Sequence, residues 1–185
     1  MEKKKKIIIV IIVAIIAVVS VGSYFAYEIY MDSKYDEAYK LRSNYAVNSL
    51  SYLNESNLAM NNTALLYQNT TDYFNNIFYS LDLAIESTQK AINYSEEMNK
   101  TATSKVEKEY AQAQIKEYKT KLKRFKEIKN EFTKLKNDLN YQFDSNKLLT
   151  LKKECENSEN SRHEILLKNP DFKQRINKLY NETTN

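Results

Sequence analysis

The chain begins with an unbroken apolar run. Lys3 to Lys6 lead into it, and no charged residue occurs between Ile7 and Tyr27. These 21 residues span about 31 Å as a helix, against a bilayer hydrocarbon core of about 30 Å. The pattern predicts a transmembrane helix over residues 7–27. Tyr24, Phe25, Tyr27 and Tyr30 then fall at the far interface, where aromatic rings are favoured. β-Branched residues cover every face of the run, which argues against a helix packed in a soluble core. A cleavable signal also fits, with Ser20 and Gly22 at the −3 and −1 positions of a cut before Ser23. The aromatic belt and the lack of a polar break after Val21 favour a retained anchor. The lysines hold the N-terminus cytoplasmic on either reading. The expected layout is a basic tail (1–6), a signal-anchor (7–27) and an extracytoplasmic part (28–185) of a single-pass cell-membrane protein.

Beyond residue 28 the hydrophobic period is that of α-helices. Three heptads, LSYLNES, NLAMNNT and ALLYQNT, put Leu50, Asn57 and Ala64 at a, and Leu53, Met60 and Tyr67 at d. That is an a/d seam, and a polar residue at a, here Asn57, either fixes register or is simply tolerated. Tyr39 and Ala46 extend the seam less cleanly. A second stripe runs through Phe74, Ile77, Leu81, Ala84, Ile92 and Met98. It is wide, as in a multi-helix bundle. Ser104 and Glu107 form a capping box. It opens a third helix with Tyr118, Leu122, Phe125, Phe132 and Leu139 on one face. Asp144–Asn146 breaks the chain before a fourth helix that weakens over 156–160, with Ser161 and Glu164 able to restart it. Asn169-Pro170 opens a short last helix. The helices are expected over about 28–68, 72–98, 104–143, 146–167 and 170–181. The fold class is therefore all-α: a transmembrane helix continuing into an elongated antiparallel, coiled-coil-like bundle.

Composition sharpens this. There is one glycine, Gly22, and one proline, Pro170. Glycine-turn hairpins are disfavoured, and phosphate-cradling loops and nucleophile elbows are excluded. Cys155 is the only cysteine and His163 the only histidine, so a Cys/His metal site is excluded. Asn160 stands where a di-metal Glu-x-x-His motif needs Glu. Cys155 and His163 would face about 80° apart on an unbroken helix, which does not suit a nucleophile pair. Cys155 reads as a small, half-buried residue or a thiol able to cross-link two chains, and His163 as an exposed helical residue. The chain is expected to be no enzyme and to need no cofactor.

The net charge is +4, unevenly spread. Residues 23–99 carry four basic and ten acidic groups, and residues 100–136 twelve basic and five acidic. The basic helix either faces acidic helices across the bundle or offers a cationic surface of Lys116, Lys119, Lys121, Lys123, Arg124, Lys126 and Lys129. Six Asn-x-Ser/Thr triplets, at Asn54, Asn61, Asn69, Asn93, Asn99 and Asn181, are candidate glycosylation sites outside the cell. Composition alone gives about three such triplets. The partners expected are the lipid bilayer and a protein, or a second copy, met through the helical seam. Nucleic acid is not expected for an outward-facing chain. The function expected is a structural or interaction role in the envelope. The alternative is binding of an anionic polymer or ligand by the basic helix, including as a sensing partner.

Overall fold

A computed structural model describes the backbone of residues 2–184 and the side-chain surroundings of residues 19–183. Six helices account for the described chain: α1 (Glu2–Asn61), α2 (Thr63–Gln68), α3 (Thr70–Thr101), α4 (Lys105–Asn137), α5 (Ser145–Lys168) and α6 (Pro170–Thr184). No strand occurs among the described residues, and the fold is an all-α bundle. Helix α1 packs along α3, α3 along α4, and α4 along α5, while α6 returns to α1. Short connections between long helices enforce antiparallel neighbours.

The helix ends follow local chemistry. Asn69 Oδ1 accepts from the Asp72 N–H and starts α3. Ser104 and Glu107 exchange hydrogen bonds as a complete capping box at α4. Asp144 Oδ1 accepts from the Lys147 N–H and starts α5. Pro170 is the first residue of α6. The Asn169 side chain, however, donates back to the Ile165 carbonyl and closes α5.

Two of the expected boundaries shift, and one expected weak stretch is absent. The first helix breaks at Asn62 instead of running to residue 68, because the Asn62 side chain caps the new helix α2. Helix α4 ends at Asn137, not residue 143, and Leu139 lies exposed in the following loop. Helix α5 does not weaken over 156–160. The Ser158 and Ser161 hydroxyls bond back to the Glu154 and Asn157 carbonyls and fit within it.

The a/d seam is corrected too. Leu50 is 49% exposed, Tyr67 88% exposed, and Asn57 and Ala64 also face outward. Of the three heptads only Leu53 and Met60 are partly buried, against the Phe74, Ile77 and Phe132 cluster, while of the upstream extension Tyr39 is buried and Ala46 partly buried. The buried face of α1 carries Tyr35, Arg42, Ser49 and Ser56, seven residues apart. Small hydroxyl side chains allow close approach to Ala84, Ser87, Thr88 and Ala91 of α3. Thr88 Oγ1 donates to the Ala84 carbonyl at 2.7 Å, Ser49 Oγ reaches the same carbonyl at 3.3 Å, and the two hydroxyls lie 2.6 Å apart. A search for large apolar residues passes over such a seam.

The apolar core lies in three clusters. One, around Tyr35, Tyr39, Met98, Tyr110, Phe172 and Ile176, sits where α6 meets α1. A second surrounds Phe74 and Phe132 at the far end, and a small one joins Ala91, Ile92 and Tyr118 between them. Residues 7–18 of the expected membrane segment lie outside the residues whose surroundings are described. Among the described residues, no helix is long and apolar enough to cross a membrane.

Candidate functional site

Helices α1 and α5 scarcely touch, and the gap between them is floored by α4 and closed at one end by α6. The resulting cleft has a volume of about 540 Å³, within the range of small-molecule pockets. Tyr39, Val47, Leu50, Tyr118, Leu166 and Ile176 are among its walls. A narrower cavity of about 180 Å³ continues along the same gap, sharing Leu50, Lys121 and Glu159.

Arg42 lies in this cleft at 6% exposure. Its Nη1 donates to Tyr118 Oη at 3.1 Å, and its guanidinium stands 4.3 Å from the Tyr39 ring centre. Its Nε and Nη2 have no hydrogen-bond partner among the described residues. No carboxylate lies within 4.0 Å of it among the described residues. Arginine stays charged in proteins. Burial pushes the Tyr110 phenol up to about 12. Ser43 Oγ and both polar atoms of the Gln114 side chain are likewise buried without partners among the described residues. A buried polar group without a partner costs about 1–3 kcal/mol, and more for a charge.

The neighbouring charges, by contrast, are matched. Glu117 on α4 accepts from Lys121 at 2.8 Å and from Arg162 on α5. Burial alone would push its carboxyl up, but the Arg162 and Lys121 cations hold it below the ordinary carboxylate range. Lys121 also reaches Glu159 at 2.6 Å. Among these five groups three cations face two carboxylates, and Arg42 carries the surplus.

The seven basic residues expected to form one surface are divided. Lys119 pairs with Glu96 and Lys129 with Asp82, both on α3, and Lys123 pairs with Glu154 on α5. Lys121 is in the cleft wall. Lys116, Arg124 and Lys126 have no ion pair among the described residues. Lys119, Lys123 and Lys126 border one shallow depression of α4. Of the candidate glycosylation residues, Asn54, Asn61, Asn69, Asn93 and Asn181 are exposed and Asn99 is half-buried. Asn69 is engaged as a helix cap. Cys155 is buried, its thiol pushed up by burial, and it lines the narrower cavity, while exposed His163 borders the main cleft.

Arg42 escapes a reading of the sequence because a single basic residue in a helix looks like surface. Its spacing of seven from Tyr35 and Ser49 was the available signal. No family model matches the chain, and comparisons with curated proteins and with solved structures likewise find no match.

Proposed function

We propose that this chain is a single-pass membrane-anchored protein, its N-terminus cytoplasmic, whose outward-facing helical bundle serves as an interaction module. The observation that carries the reading is a sleeve of exposed apolar side chains on α1. Val19, Val21, Tyr24, Phe25, Tyr27, Ile29 and Tyr30 are all exposed just before the bundle begins at Tyr35. An apolar surface of that kind marks a membrane or partner contact. Its continuity with the uncharged run from Ile7, and the lysines before that run, support the membrane. The test is an alkaline wash of membranes from expressing cells, followed by protease treatment of intact cells. The protein should stay in the membrane fraction and lose its bundle to external protease. Release by the wash, or a mature N-terminus at Ser23, would overturn the anchor.

A second reading, an anionic polymer held by α4, is favoured by the depression that Lys119, Lys123 and Lys126 border. It is the weaker one, since four of the seven basic residues are committed to ion pairs with neighbouring helices.

A further inference from the structure

The unanswered charge of Arg42 has a definite shape. Tyr118 takes up Nη1, which leaves the Nε–Nη2 edge. That edge carries two parallel N–H donors, the fork that receives a carboxylate in bidentate fashion. It belongs to a side chain that is almost fully buried and lines a cleft large enough for a small molecule.

We propose that the cleft between α1, α4, α5 and α6 binds a small monocarboxylate with an apolar or aromatic body, its carboxylate held by the Nε–Nη2 edge of Arg42. The surplus in the cleft is one positive charge, so a monoanion balances it. A neutral ligand would leave the guanidinium unmatched, and a dianion would meet Glu117 and Glu159 without a second spare cation. The body of the ligand is set by the walls, where Tyr39, Val47, Leu50 and Ile176 offer apolar surface. Ser43, with its unpartnered hydroxyl, lies in the same wall. Nothing in this assignment depends on the membrane anchor.

The test is calorimetric titration of the full chain in nanodiscs. The probe is 4-phenylbutyrate, with 4-phenylbutanol, acetate and inorganic phosphate as comparisons. The carboxylate should bind saturably. The alcohol, acetate and phosphate should each bind about tenfold more weakly or worse, the loss expected when one charge-assisted contact or the apolar body is missing. Arg42→Met should abolish the preference for carboxylate over alcohol while keeping the helical spectrum, because it removes a buried charge. Val47→Asp, at a partly exposed wall position, should weaken the carboxylate and spare the alcohol, whatever the fate of the Arg42 variant. Equal binding of carboxylate and alcohol overturns the proposal. So does binding that Arg42→Met and Val47→Asp leave unchanged, the absence of saturable binding at millimolar probe, or phosphate binding as tightly as the probe.

Discussion

Three glutamates on one helix decide how the protein meets acid. Glu107, Glu117 and Glu131 on α4 are all almost fully buried. Glu107 is held by Arg175 and by the Thr103 and Ser104 N–H groups. Glu131 is held by Lys134 at 2.7 Å and by the Asp144 N–H at 2.8 Å. Burial works against each carboxylate, yet these donors hold all three below their ordinary value of 4.5. A carboxyl depressed in the folded state stabilises it above its unfolded pKa and loses that contribution as pH falls through the folded value. Thermal midpoints should therefore hold steady from neutral pH down to about 5 and drop steeply below about 4. Glu117→Gln leaves Arg162 without its carboxylate, and Lys121 keeps only Glu159. It should cost about 3 kcal/mol in urea unfolding at neutral pH, and less at acid pH, where the parent has lost the same charge. An equal cost at both pH values would mean the pair contributes packing, not charge.

At the scale of the helix, what could be read in advance was what local chemistry dictates. The Ser104 box, the start at Pro170 and the wide stripe of α3 are sequence-local, and each is present. The register of α1 was not legible. Beyond Tyr39 its buried face carries Arg42, Ser43, Ser49 and Ser56, while the large Leu50 stands at the rim of the cleft. Small buried hydroxyl side chains carry no hydrophobic signal. The same holds for α5, where serines that bond back to their own helix imitate a break. The two faces of α1 should respond in opposite senses. Ser49→Leu, forced between α1 and α3, should cost about 1–3 kcal/mol by overpacking. Leu50→Ala should cost under about 1 kcal/mol, because a half-exposed side chain leaves no closed cavity behind. Loss of the Ser104 hydroxyl in Ser104→Ala should cost about 1 kcal/mol. Denaturant midpoints of the three variants, compared at constant m, separate these expectations.

For the molecule as a whole, α6 fastens the end of the bundle nearest the apolar sleeve. Arg175 joins Asp36 of α1 to Glu107 of α4, Lys40 pairs with Glu182, and Phe172 meets Tyr110 edge to face with ring centres 5.3 Å apart. Phe172→Ala should cost about 3–5 kcal/mol and speed amide exchange in residues 32–46 of α1. Unchanged exchange there would show that α6 is only an appendage. The all-α class and the bundle were legible from periodicity and the scarcity of glycine, whereas the docking of α6 depends on pairs more than a hundred residues apart, such as Arg175 and Asp36. Helix α1 itself runs for 60 residues without interruption, and no glycine or proline occurs between Ser23 and Asn61. It has none of the usual causes of a kink in that stretch. A helix turns by about 100° with each residue, so the number of residues between Tyr30 and Tyr35 fixes a compass bearing. Two residues inserted after Tyr30 would swing the mouth of the cleft by about 200° about the axis of α1 and raise it by about 3 Å, with every internal contact kept. Whatever meets the bundle from a neighbouring protein in the same plane would then find it facing away.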